Sequence, residues 1–200
     1  MKKQETSTRD IARELARKYS TMTHQELDTL ESILVPMHFS KGEMIVKEGE
    51  VCRNIYYLNK GLVRQFYFKN DKEVTEYLGV DGNIFMCIES LFKEEPSYLQ
   101  AEALEPSEVF ALPKAQLEMI AISNVNIQML YRKILEESLI ISQIHADLVR
   151  FESAQNRYRK LCKISPQVVL RAPLVYIANY LQMSPETLSR VRTAELANNE

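Results

Sequence analysis

The sequence lacks any apolar run approaching the eighteen or so residues that a membrane span takes. Nor does it open on a signal peptide, because Met1-Lys-Lys-Gln-Glu-Thr leads straight into charged helix. These two absences predict a cytoplasmic protein. Cysteine is scarce: Cys52, Cys87 and Cys162 stand far apart, odd in number and without a CxxC pair. That pattern argues against a disulfide framework and against a structural zinc site. There is also no nucleophile–base pair, no metal-ligating cluster and no Gly-rich loop that would cradle a phosphate. No catalytic residue and no metal is therefore assigned, and an enzyme is not expected. His24 reads as a surface polar residue, and His38 and His145 are scattered.

What is present is ordinary globular material, 46% apolar and 26% charged, enough for one large domain or two small ones. The net charge of −2 hides an asymmetry. Residues 1–149 carry 17 Lys+Arg and 23 Asp+Glu (17 − 23 = −6), whereas residues 150–200 carry 8 and 4 (8 − 4 = +4). A basic end on an acidic body is a pattern for contact with nucleic acid.

The periodicity changes along the chain. Up to about Pro36 it is helical, with a stripe at Ile11, Leu15 and Tyr19 and a capping box at Thr23–Glu26. From Met37 to Leu112 short strands alternate with turns at Gly42, Gly49, Asn59-Lys-Gly61, Asn70-Asp71 and Asp81-Gly82, which predicts an all-β sandwich or barrel. One short helical piece, around Ile88 to Phe92, interrupts it. After Pro113 a helix runs to Ile120, and a longer one spans about Asn124 to Phe151. On it Ile127, Leu130, Ile134, Ile141, Ile144 and Leu148 recur at heptad a and d positions, which predicts the seam of a two-stranded coiled coil and hence a homodimer; an ordinary buried helix of a monomer fits the same residues. Leu135 and Leu139 lie off that seam, on a face suited to docking on the β-domain.

The last fifty residues read as short helices. A basic one, Ser153 to Ile164, precedes a helical turn at 166–171 and then a pair of helices. Leu174, Ile177, Ala178 and Leu181 form one apolar face. Ser184-Pro185-Glu186 then supplies a serine cap, a proline at the first helical position and an acid at the positive helix end. If Leu188 and Val191 turn inward, Ser184, Glu186, Thr187, Ser189, Arg190 and Arg192 face outward, a set that suits base edges and phosphates in a DNA major groove. A polar helical hairpin with merely solvated arginines fits the same residues.

The order of parts resembles the Crp/Fnr family of bacterial transcription regulators, over about Thr23 to Leu196. Ile177-Ala-Asn-Tyr-Leu followed by Ser184-Pro-Glu-Thr-Leu-Ser-Arg190 is its most specific piece. The resemblance implies an α+β fold: an N-terminal jelly-roll β-domain (1–122, with the N-terminal helices), a dimerisation helix (123–151) and a small all-α helix-turn-helix domain (152–200). It implies binding to double-stranded DNA as a homodimer, with RNA polymerase as a further partner. Glu186 and Arg190 fall where family members read bases, and Pro185 stands where the family often has another arginine. Only four residues follow Leu196, so the family's β-hairpin wing is expected to be missing.

The family's cyclic-nucleotide binders carry a Gly-Glu pair where this chain has Met86-Cys87, and an Arg where it has Ser97-Tyr98 after Pro96. A cyclic phosphate would find no cation at Met86, Cys87, Ser97 or Tyr98, and an unpaired buried charge is costly. Cyclic AMP is therefore not expected; the β-roll could hold another small molecule, or none. No cofactor is assigned, since no cysteine precedes Cys52 to hold an iron–sulfur cluster of the family's kind. Cys87 reads as a small core residue, with a redox-sensitive thiol as the alternative.

Overall fold

The structure is a computed structural model that describes residues 6–197. Residues 1–5 and 198–200, the outer ends of the first and last predicted segments, lie outside the described residues.

Two helices open the chain. α1 (Thr8–Tyr19) starts at Ser7, whose hydroxyl accepts from the Asp10 N–H, and it buries Ile11, Leu15 and Tyr19. α2 (His24–Glu31) starts at the Thr23–Glu26 capping box that the spacing predicts. Eight strands follow: β1 (Val35–Phe39), β2 (Met44–Val46), β3 (Asn54–Lys60), β4 (Leu62–Lys69), β5 (Lys72–Val80), β6 (Asn83–Phe85), β7 (Gln100–Ala103) and β8 (Ser107–Pro113). They form two antiparallel sheets, in the orders β1-β8-β3-β6 and β2-β7-β4-β5, and α3 (Ile88–Lys93) interrupts them between β6 and β7. Gly61, at the β3–β4 hairpin, has φ +130°, and a Cβ there would collide with Ser107. The β4–β5 hairpin turns on Asn70 and Asp71 at φ 52° and 58°, the residue types that best tolerate this region.

α4 (Lys114–Ala121) leads into α5 (Val125–Phe151), and then come α6 (Ala154–Ile164), α7 (Pro166–Arg171), α8 (Leu174–Tyr180) and α9 (Pro185–Ala197). Among the described residues no strand follows β8. The α+β class, the jelly-roll-type β-domain and the all-helical C-terminal part are as expected. No described helix is long and apolar enough to cross a membrane.

The predicted seam on α5 requires correction. Ile127, Leu130 and Ile134 are buried among α1, the β-roll and α4 of their own chain, and Leu148 is buried in the C-terminal core. Of the six, only Ile141 and Ile144 retain exposed surface. The reason is geometric. A heptad pattern marks an apolar stripe but not what covers it, and on a straight helix that stripe drifts by roughly 20° per heptad. Beyond Ile134 the stripe meets the open cavity, which Ile141 lines, instead of the packed β-roll core. The large exposed apolar residues of α5 are Val125, Leu139, Ile140, Ile141, Ile144 and Phe151. Leu135 packs on the β-domain core as expected, while Leu139 stays exposed at the edge of a cavity.

A second core holds the C-terminal helices together: Leu148, Tyr158, Leu161, Val168, Ile177, Ala178, Leu181 and Leu188. Leu78 of β5 belongs to it as well, so this core continues onto the β-roll.

Candidate functional site: a cavity and a polar C-terminal helix

A cavity of about 390 Å³ opens between the β-roll and α5. That is within the size range of small-molecule sites. Its deep end is made by Gln65 of β4, by Met86 and Cys87 after β6, and by Ser97 ahead of β7, all buried. Tyr98 stands at the exposed rim. The structure thus brings Met86, Cys87, Ser97 and Tyr98 around one space. α5 contributes Leu139, Ile141, Ser142 and His145, and Tyr180 reaches in from α8.

Gln65, His145 and Tyr180 escape the sequence reading because each comes from a different, distant element. One signal existed for Gln65. Arg64-Gln65 is a polar pair in the middle of the apolar run Leu62 to Phe68. Consecutive strand residues point to opposite faces, so the pair splits. Gln65 lines the cavity, and Arg64 turns away toward α8.

The deep end is polar but uncharged. The Gln65 amide donates to the Cys87 sulfur at 3.7 Å, and the Ser97 hydroxyl donates to the Leu99 carbonyl at 2.7 Å. The Cys52 and Cys87 thiols influence one another: Cys87 draws Cys52 below its ordinary value, and Cys52, with burial, pushes Cys87 above its own. Cys87 is therefore both a core residue and part of the cavity wall.

No lysine or arginine lines the cavity, while Glu76, Glu89 and Glu95 do. Arg64 cannot serve it. Its guanidinium pairs with Glu73 and with Glu102 (2.6 Å) and is sandwiched over the rings of Phe66 (4.0 Å) and Tyr176 (3.7 Å). A cyclic phosphate would enter a space bordered by carboxylates with no cation to neutralise it, so the residues present do not fit a cyclic nucleotide.

Tyr180 couples the cavity to the C-terminal helices. Its ring stacks on His145 with centroids 4.2 Å apart and planes at 7°, and its carbonyl lies 3.0 Å from His145 Nε2. Burial, then the nearby Glu76 charge, pushes its hydroxyl up to about 12. Further contacts clamp α7 and α8 to the roll. The Asn179 side chain accepts from the Thr75 N–H (2.5 Å) and donates to the Glu73 carbonyl (2.6 Å), so it extends the ladder of edge strand β5. Arg171 binds Asp81 (2.8 Å), Glu105 (2.5 Å) and the Gly61 carbonyl (2.7 Å). Those carboxylates, Glu105 first, hold its guanidinium above its ordinary value.

At the far end, the turn from α8 to α9 passes through Gln182 at φ 51°. Arg157 of α6 donates to the Leu181 carbonyl (2.9 Å) and to that of Gln182 (3.2 Å), which holds this turn in place. Ser184 caps α9, its Oγ accepting from the Thr187 N–H at 3.2 Å. Leu188 is fully buried and Val191 packs on the same core. Ser184, Glu186, Ser189, Arg190 and Arg192 are exposed and Thr187 half-buried, so the six predicted residues share the accessible side of the helix pair. Arg190 reaches Thr187 Oγ1 at 3.3 Å, and the Ser184 hydroxyl and helix N-terminus hold Glu186 below the usual carboxylate range. The basic charge of α6 is spent within the chain. Arg159 pairs with Glu195 (2.8 Å) and Lys160 with Glu152 (2.6 Å), while Lys163 and, on α9, Arg190 and Arg192 are exposed.

Residues 36–124 match the cyclic nucleotide-binding domain family. No curated protein sequence matches the chain. Among solved structures, FixK2 from Bradyrhizobium japonicum superposes with a TM-score of 0.71 at 20% identity, over 84% of this chain and 86% of that one. The Thermus thermophilus catabolite activator protein gives 0.55 at 22% identity, over 93% and 88%. A transcriptional regulator of the Crp/Fnr family from Eubacterium rectale gives 0.64 at 14% identity, over 88% and 85%. The cavity walls Met86, Cys87, Ser97 and Tyr98 lie inside the stretch that matches the cyclic nucleotide-binding domain family, and the chain has the fold of these Crp/Fnr-type structures.

Proposed function

We propose that the protein is a sequence-specific regulator that binds double-stranded DNA as a homodimer and responds to a small effector other than cyclic AMP. The observation that carries the reading is α9: one side, Leu188, is fully buried, while Ser184, Glu186, Thr187, Ser189, Arg190 and Arg192 stand together on the accessible side. Arg190 has the geometry to donate two bonds to a guanine and Glu186 to accept from a cytosine amino group, a discrimination of roughly 1–3 kcal/mol for a good pair. Thr187, Ser189 and Arg192 suit phosphates, which fix register. Dimerisation would use Ile140, Ile144 and Phe151, whose exposure of 57%, 45% and 77% is high for apolar side chains. Two copies would then present two α9 helices to half-sites about one DNA turn, roughly 34 Å, apart.

An effector in the cavity touches the β-roll, α5 and, through Tyr180, the C-terminal helices at once. It can bias their docking by the difference in its affinity for docked and undocked arrangements. Selection from a random DNA pool tests the reading. The expected result is a palindromic consensus that is lost with Arg190→Ala, and calorimetry with micromolar cyclic AMP gives no isotherm. Failure to enrich any sequence at low salt would favour a sensor or protein-interaction module of the same fold, which the internal pairing of Arg157, Arg159 and Lys160 would then explain.

A further inference from the structure

The cavity has two chemically different ends. At the deep end Gln65 is only 5% exposed. Its nitrogen has the long contact to Cys87, and its amide gives the uncharged deep wall a hydrogen-bonding group. Between the ends the walls are apolar and aromatic, with Phe85, Tyr77 and Tyr180 around the space and Tyr98 at the rim. At the rim, Glu89 is paired with Lys93 at 2.6 Å, but Glu76 and Glu95 have no ion-pair partner among the described residues. The negative charge is felt inside. After burial, Glu89 and Glu76 raise Tyr98, and Glu76 raises Tyr180.

We infer that the cavity is a binding site for an apolar organic cation: an amine with an aromatic body and a hydrogen-bond donor at the opposite end. This rests on reading the cavity as the effector site and deepens it by naming the ligand's charge and polarity. The donor would meet Gln65 Oε1, the ring would fill the aromatic section, and the ammonium would lie at the rim against Glu76 and Glu95. Ring faces of Tyr98 and Tyr180 add attraction for a cation. An anion of the same shape would be repelled by the same two carboxylates.

Three probes with one body and three charges decide the question: tyramine (cation), tyrosol (neutral) and 4-hydroxyphenylacetate (anion). Each is titrated calorimetrically into the full-length protein at low and at high salt, up to millimolar concentration. Tyramine is expected to bind on the order of tenfold more tightly than tyrosol, and the anion to bind weakest, with the spread narrowing as salt rises. The double variant Glu76→Gln/Glu95→Gln, at two exposed positions, should keep the wild-type Tm and bring tyramine to the affinity of tyrosol. Gln65→Leu should weaken tyramine and tyrosol alike. Equal binding of the three, preference for the anion, an unaltered tyramine affinity in the double variant, or no binding of any probe would overturn the inference. The effector reading fails separately: tyramine would then bind as expected and leave the affinity for the selected DNA unchanged.

Discussion

The two halves of α5 carry one sequence pattern and two fates. In the first half Ile127, Leu130 and Ile134 lie at most 1% exposed, sealed into the β-roll core. In the second half Ile140, Ile144 and Phe151 stand at the surface, and Leu148 alone turns into the C-terminal core. The difference teaches that burial here follows the position of the β-roll along the helix, not the heptad position of a residue. The first half is a structural strut. The second half is free to meet another chain on one side and the cavity on the other, through Ser142 and His145.

The sharpest way to break that comparison is to cut both halves equally. Leu130→Ala removes a fully buried side chain and should lower unfolding stability by about 2–5 kcal/mol in urea titrations. Its mass by sedimentation should stay that of the wild type where folded protein remains. Ile144→Glu should do the reverse. It places a charge in the proposed interface and should halve the sedimenting mass, while far-UV dichroism stays native because the side chain supports no internal core. If Leu130→Ala dissociated the protein and Ile144→Glu unfolded it, the two halves would have exchanged roles.

Much of this was legible in the sequence. The strands, the turn at Asn70-Asp71, the capping box at Thr23 and the closing helices follow from local patterns, because each depends on residues within one turn or one hairpin. The four cavity residues predicted from the resemblance do meet around one space. What was not legible depends on distant chain segments meeting. Gln65, His145 and Tyr180 are joined only by the fold, and the α5 stripe was assigned to a partner because periodicity does not say which surface covers it. The basic α6 helix is a further case. It adds to the positive balance of the last fifty residues, yet Arg157 and Arg159 serve the Leu181 carbonyl and Glu195.

A smaller effect concerns the clamp between β5 and α8. Asn179→Ala strips hydrogen bonds from the Thr75 N–H and the Glu73 carbonyl at once. Leaving such groups unsatisfied costs on the order of 1–3 kcal/mol. The loss should appear as faster amide exchange in β5 and α8, while α1 and the first half of α5 keep wild-type protection. Uniform acceleration across the chain would mean that the two cores unfold together and that the comparison has no thermodynamic content.

The smallest effect is electrostatic, at Arg171. Burial by itself would raise the Asp81 carboxyl, but hydrogen bonds from Arg171 and the Gly61 N–H outweigh it and leave Asp81 below its ordinary value. A depressed carboxyl contributes stability that is present above its unpartnered pKa, about 3.9, and is lost as pH falls through the lower, docked value. The clamp should therefore be at full strength at neutral pH and weaken only below about pH 4. Asp81→Asn supplies the control, since it cannot titrate. The difference in α7–α8 exchange protection between wild type and this variant should be largest at neutral pH and close as the medium is acidified. A gap that is constant with pH would show that Glu105 and the Gly61 carbonyl hold Arg171 without help from the Asp81 charge.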